Sequence, residues 1–150
     1  MRLFRFSPSR ILAAGVIAGI ALCLLLAVAF NLSGTTRFCA ACHSMQPVSA
    51  GWQISTHKQF ACVECHLPNT HIVGRVAYKM VAGARDLVAE TLGTYAMPIT
   101  ISKSGAGHVN QNCLRCHFSV MEKTALSGAT SNCIGCHRFL VHGRGHEKEG

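Results

Sequence analysis

The stretch Cys39-Ala40-Ala41-Cys42-His43 is the first of four motifs in which two cysteines, separated by two residues, are followed at once by histidine. The others are CVECH at 62–66, CLRCH at 113–117 and CIGCH at 133–137. This spacing is typical of haem c attachment, since two thiols bond to the porphyrin and the next histidine reaches the iron. We therefore expect four covalent haems, held by Cys39, Cys42, Cys62, Cys65, Cys113, Cys116, Cys133 and Cys136.

Paired cysteines can also form disulfides or bind zinc. Eight of them in an exported chain can form a disulfide framework, and the intervals between the pairs are close to those of zinc ribbons. Neither role requires a histidine directly after every pair. The repeated histidine therefore favours haem over disulfides and zinc.

A haem iron takes two axial ligands, so histidines outside the motifs are candidates for the second position. His57 and His142 each lie five residues from a motif, too near to reach the far face of that motif's own haem. We expect each of them to bind a neighbouring haem. His71 and His108 are open candidates, whereas His146 lies in a polar tail and is expected at the surface.

Met45 stands two residues after His43 and is a second candidate ligand for the first haem. If His43 binds one face of the iron, Met45 is too close in sequence to reach the other. Either Met45 replaces His43 as the ligand or it is a packing residue, and spacing alone leaves both possibilities open.

Residues 11–30 form an uncharged apolar stretch that would span roughly 30 Å as a helix, about the thickness of a membrane's hydrocarbon core. A cleaved signal peptide is the alternative, because Ala27-Val28-Ala29 is a possible cleavage site. The stretch is longer than a signal peptide needs, which favours an uncleaved anchor.

The charges around the anchor predict its orientation. Three arginines fall within residues 1–10, whereas only Arg37 follows the anchor closely. The positive-inside rule therefore places residues 1–10 in the cytoplasm and residues 31–150 on the periplasmic side of a bacterial cytoplasmic membrane. An exported chain does not meet nucleic acid, so we expect no such partner. The net charge of +8 instead suits anionic haem propionates and lipid headgroups.

The number of haems constrains the fold. Roughly 120 exported residues are too few to build a separate apolar core around four haems, so the porphyrins themselves must form most of it. We expect a mostly α chain with much irregular structure, in which one transmembrane helix precedes a small tetrahaem domain. Haems 1 and 2 would be bound at 39–66 and haems 3 and 4 at 113–142, with loops at 102–107 and 127–131.

Residues 71–93 connect the two halves, and their pattern predicts an amphipathic helix that stops at Gly93. Such a basic helix suits either a membrane surface or the cover of a haem. Lys79 and Asp86 lie two turns apart on it. They are candidates to hydrogen-bond a membrane quinol and to take its protons, although an ion pair or two solvated charges would be the more ordinary role.

The chain resembles the NapC/NirT family of membrane-anchored multihaem quinol dehydrogenases, and within it the small subunits (NrfH type) of cytochrome c nitrite reductases. The likeness runs from the anchor to the last haem. It is carried by Cys-x-x-Cys-His-x-Met with Gln-Pro-Val (39–48), His57, Lys79, Gly83-Ala84-Arg85-Asp86, and His137 with His142.

The resemblance implies roles for these residues. Met45 would bind the first haem in place of His43, with Asp86 over the open face and Lys79 lining the same quinol pocket. His66 would bind the second haem, whose other ligand would be a lysine of the catalytic partner. The third and fourth haems would have His117 and His137 as proximal ligands and His142 and His57 as distal ligands.

The expected function is oxidation of menaquinol from the membrane pool and electron transfer to a periplasmic, ammonia-forming nitrite reductase. One alternative is a tethered tetrahaem relay without quinol chemistry. Another is a quinol dehydrogenase that serves a different periplasmic reductase.

Overall fold

The computed structural model describes residues 7–128 and 131–143, and within these ranges it is helical with no strand. The helices are α1 (Pro8–Leu32), α2 (Thr36–Cys39), a 3₁₀ turn (His43–Met45), α3 (Gln46–Gln53), α4 (Cys62–His66), α5 (Ile72–Leu92), α6 (Lys103–Met121) and α7 (Cys133–Cys136). The expectation of a mostly α chain with much irregular structure is confirmed.

The chain divides into two compact units, Met1–Gly34 and Thr35–Gly150. The first contains helix α1, which includes the predicted stretch 11–30 and extends it at both ends. Pro8 lies in its first turn, where the missing amide hydrogen costs no helical bond. None of its residues is buried, and it is the one helix of the described residues long and apolar enough to cross a membrane.

The second unit contains all four motifs. Three of them lie on short helices or turns, as expected, but the third lies inside the 19-residue helix α6. The prediction of a loop at 102–107 was wrong. The Ser102 hydroxyl accepts the amide of Gly105 at 3.1 Å and caps α6, so the helix continues through the small residues that suggested a loop.

Helix α5 agrees closely with the predicted segment 71–93. His71 precedes its first residue, and the helix ends at Gly93, whose φ of 63° is left-handed. A residue with a side chain would be strained in this backbone conformation. Glycine is therefore the residue that most often ends a helix in this way.

Apart from Pro68, the described residues contain no buried apolar side chain. The buried polar residues among them are Ser44 and Asn112, which are 7% and 4% exposed. The polypeptide of the second unit therefore builds no hydrophobic core of its own within the described ranges, which fits the expectation that bound porphyrins supply it.

Candidate haem-binding site

The first two motifs meet at their leading cysteines. The Cys39 thiol donates a hydrogen bond to the sulfur of Cys62. This bond raises the pKa of Cys39, the donor, and lowers the pKa of Cys62, the acceptor. The contact places the leading cysteines of the first and second motifs side by side.

The third motif lies between the second and the fourth. Burial, followed by the nearby Cys133 and Cys65, raises the pKa of Cys113 to about 11. Burial likewise raises the pKa of Cys65, and Cys116 contributes to that rise. The attachment points therefore follow one another through the unit in the order of the sequence, which suits electron transfer from haem to haem.

Side chains of α6 hold these motifs together. The Asn112 amide donates to the carbonyls of Cys65 and Leu67, both at 2.8 Å. Asn110 Oδ1 accepts the amide of Ile134 at 3.1 Å, which attaches the fourth motif to the same helix. These contacts join residues 24 to 47 positions apart, so no sequence pattern indicated them.

An ion pair adds to the contact between α4 and α6. Arg115 Nη2 lies 3.1 Å from Glu64 Oε2 and also donates to the Glu64 carbonyl at 3.0 Å. The two side chains are 36% and 45% exposed. An exposed pair of this kind adds little to the stability of the fold. Its main effect is to align the second motif with the third.

The imidazole rings of His57 and His117 form the first of two facing pairs. Their centroids are 6.2 Å apart and their planes are inclined by 56°. His57 Nδ1 is hydrogen-bonded to Thr56 Oγ1 at 3.1 Å, which leaves Nε2 as the ring's ligand atom.

His66 and His142 form the second pair, with centroids 6.1 Å apart and planes inclined by 43°. His142 Nδ1 is hydrogen-bonded to the Val48 carbonyl at 3.1 Å, which makes Nε2 the atom that can bind iron. Although part of the His66 surface is exposed, desolvation by the surrounding protein lowers its pKa, and His142 lowers it further. Neutral imidazole is the form that binds iron.

Gly51 makes the second pair possible. A Cβ atom on Gly51 would overlap the carbonyl oxygen of His142, far inside van der Waals contact. The absence of a side chain on α3 therefore lets the segment that carries His142 approach closely enough to face His66.

The remaining candidate ligands are not paired. Among the described residues, no histidine ring faces His137. His108 is T-shaped against Tyr78 at 4.7 Å, and His71 is hydrogen-bonded to Thr70 at the start of α5. His146 lies outside the described residues.

The 3₁₀ turn that carries His43 and Met45 begins directly after Cys42. His43 is exposed and Met45 is half-buried, with the buried Ser44 between them. The two candidate ligands of the first haem therefore differ in environment as well as in chemistry.

Helix α5 places Lys79 beside the first motif. The ammonium is close enough to Cys39 for the charges of the two groups to influence each other, while partial burial lowers the pKa of Lys79. Loss of solvent around the carboxyl raises the pKa of Asp86, and Arg85 opposes the rise. Asp86 lies on the same helix, between Lys79 and Glu90 in the sequence. Glu90 is hydrogen-bonded to Ser44 in the 3₁₀ turn that follows Cys42.

The residues present fit haem better than disulfides or zinc. No disulfide joins any of the nine cysteines, and no three His, Cys, Asp or Glu side chains of the described residues converge on a metal-ion site. Two imidazoles on opposite faces of one iron, each bound at about 2 Å, have ring centres roughly 6 Å apart. Both histidine pairs have that separation.

Comparisons with known proteins agree with this chemistry. A sequence model of the NapC/NirT cytochrome c family, N-terminal region, matches residues 2–147. The cytochrome c-type protein NrfH of Wolinella succinogenes is 39% identical over 127 residues, which cover 75% of this chain and 71% of the relative. The cytochrome c nitrite reductase subunit NrfH of Nitratidesulfovibrio vulgaris is 34% identical over 119 residues, covering 78% and 74%.

A solved structure is also similar. One chain in the crystal structure of a cytochrome c nitrite reductase NrfHA complex, bound to the HQNO inhibitor, superimposes on this chain with a TM-score of 0.76. The two are 28% identical, and the match covers 93% of this chain and 99% of the other.

Proposed function

The chain belongs to the NapC/NirT cytochrome c family, and on that premise we propose that it is a membrane-anchored tetrahaem quinol dehydrogenase. It takes electrons from menaquinol and passes them to the catalytic subunit of a periplasmic cytochrome c nitrite reductase. The relatives named NrfH and the similar chain of the NrfHA complex support this choice of partner.

The observation that carries the proposal is the course of helix α5 along the first motif. Lys79, in the first half of α5, interacts with Cys39. Glu90, in the last turn of α5, accepts a hydrogen bond from the Ser44 amide. Asp86 lies between them on the helix. An acid and a base that flank a haem attachment point are suited to a substrate that loses protons and electrons together.

A quinol releases two protons and two electrons on oxidation, and haem held by the cysteine motifs would supply the one-electron acceptor that this reaction needs. Loss of solvent raises the pKa of Asp86, so its carboxylate is a stronger base than an ordinary aspartate and can accept a proton from the quinol hydroxyl and release it to solvent. Lys79, with its lowered pKa, orients the other oxygen by hydrogen bonding.

We assign the axial ligands from the ring pairs. His117 and His57 would hold the third haem, and His66 and His142 would hold the second. This differs from the set implied by resemblance, in which His142 and His57 served the third and fourth haems. Met45 remains the proposed ligand of the first haem, as the resemblance to the NapC/NirT family implies, and it is half-buried in the 3₁₀ turn.

The new assignment moves the position proposed for the partner's lysine. The rings of His142 and His66 face each other, so in this assignment both ligands of the second haem would come from this chain. The lysine of the partner would then bind a different haem.

The anchor completes the proposal. Helix α1 would cross the cytoplasmic membrane once, with the basic residues 1–10 in the cytoplasm and the haem domain in the periplasm. A single anchor would keep the haem domain at the membrane that holds the quinol pool.

The deciding experiment is anaerobic reduction of the detergent-solubilised protein by a menaquinol analogue, followed in the visible haem bands. Rapid reduction that HQNO blocks is the expected result. A protein that dithionite reduces fully but quinol does not, even with a nitrite reductase partner present, would instead be an electron relay without quinol chemistry.

A further inference from the structure

Glu90 makes a long-range contact with the turn that carries the candidate ligands of the first haem. Its carboxylate accepts a hydrogen bond from the Ser44 hydroxyl at 2.5 Å and another from the Ser44 amide at 3.3 Å. The His43 amide also contributes to holding the carboxylate. The contact joins residues 46 positions apart, and Ser44 is buried in it.

The position of Glu90 is unfavourable for α5 itself. It lies in the last turn of that helix, where the negative end of the helix dipole repels a carboxylate. The same carboxylate accepts hydrogen bonds from the first amides of the 3₁₀ turn that continues into α3, and a negative charge is favourable at this N-terminal end. Glu90 therefore stabilises the turn, although it is unfavourable for the helix to which it belongs.

A 3₁₀ turn has three residues per turn, so His43 and Met45 project in directions about 120° apart. Only one of them can face a haem held by Cys42, the residue before the turn. The rotation of the turn therefore decides which side chain reaches the iron, and Glu90 fixes that rotation through Ser44.

We propose that Glu90 is a positioning residue that selects Met45 over His43 as the ligand of the first haem, by holding the Ser44 turn on the end of α5. The inference rests on the proposed function only in taking Met45 as that ligand. The Glu90 carboxylate lies close enough to His43 for their charges to interact, and His43 is exposed while Met45 is half-buried.

The test is the effect of Glu90→Ala on the spectrum of the first haem in the full-length holoprotein. Methionine ligation gives a methionine-to-iron charge-transfer band and raises a haem's potential. We expect Glu90→Ala to lose that band and to shift one of the four midpoint potentials downward, with four haems still bound. Glu90→Gln keeps an oxygen acceptor for Ser44 and should retain most of the band.

Glu122→Gln is the matched control, because Glu122 is an exposed carboxylate at the C-terminal end of a different helix, α6. It should leave the band and the potentials unchanged. If Glu90→Ala fails to assemble, Ser44→Ala, which removes one of the two hydrogen bonds, should still weaken the band.

Two results would overturn the inference: a full methionine band in Glu90→Ala, or the absence of such a band in the unmodified protein. Failure of the quinol assay bears on a different claim. A protein that quinol cannot reduce, but whose methionine band depends on Glu90, would refute the proposed function and leave this inference standing.

Discussion

The imidazole rings of His66 and His142 face each other with centroids 6.1 Å apart, although about 75 residues of chain separate them. His66 lies at the end of α4, and His142 is held by the Val48 carbonyl and by the absence of a side chain on Gly51. This pair ties the C-terminal segment to the first half of the domain. If both rings bound one iron, that haem would need no ligand from another subunit.

Removing His142 should open the second haem. His142→Ala is expected to convert one low-spin haem to high spin, because the iron loses an axial nitrogen while both thioethers and His66 remain. Electron paramagnetic resonance of the oxidised protein measures the change. His108→Ala is the control, since His108 packs on Tyr78. An unchanged low-spin signal in His142→Ala would exclude the assignment.

A methyl group on Gly51 should have a similar effect from a distance. In Gly51→Ala the new Cβ would overlap the His142 carbonyl oxygen, so the segment must move and take His142 from His66. We expect a high-spin fraction to appear. Gly107→Ala, where nothing lies within 4 Å of the new atom, should keep the spectrum and be neutral or stabilising by about 0.5–1 kcal/mol.

Asp86 should determine both the rate and the pH dependence of quinol oxidation. Asp86→Asn is expected to abolish quinol-driven reduction while haem content stays at the unmodified level. In the unmodified protein the carboxylate must be ionised to accept a proton, and its pKa is raised. The rate should therefore rise with pH through a range above the ordinary aspartate value.

Stopped-flow reduction by a menaquinol analogue at a series of pH values measures this rise. Glu122→Gln should show the same profile as the unmodified protein. Full activity in Asp86→Asn, or an identical pH profile in that variant, would contradict the role assigned to Asp86.

Asn112 should matter more for stability than the neighbouring ion pair. Asn112→Ala removes two buried hydrogen bonds to α4 and the residue after it, and is expected to cost about 2 kcal/mol. Thermal unfolding of the holoprotein should then show a Tm lower by roughly 4–8 °C.

Arg115→Ala removes an exposed pair on the same two helices and should cost less than about 1 kcal/mol. Equal Tm shifts for the two variants would show that the contact between α4 and α6 does not depend on the buried amide.

Local sequence determined the elements whose signals lie within a few residues. A haem attachment site needs two thiols and a histidine at fixed spacing, so the four motifs were visible in the sequence. The anchor and helix α5 were predicted nearly to their ends, because continuous apolar stretches and the stop at Gly93 act locally. The loop predicted at 102–107 failed because one hydroxyl, that of Ser102, caps a helix through small residues.

The tertiary structure decided which distant groups meet. The pairing of His57 with His117 and of His66 with His142, the approach of Gly51 to His142, and the contact of Glu90 with Ser44 all join residues far apart in the chain. A histidine carries no sequence signal of the haem that it faces, because its position depends on how several short helices pack. The sequence therefore determined that this chain carries the motifs that attach haem, and only the fold decided which distant side chains face each other.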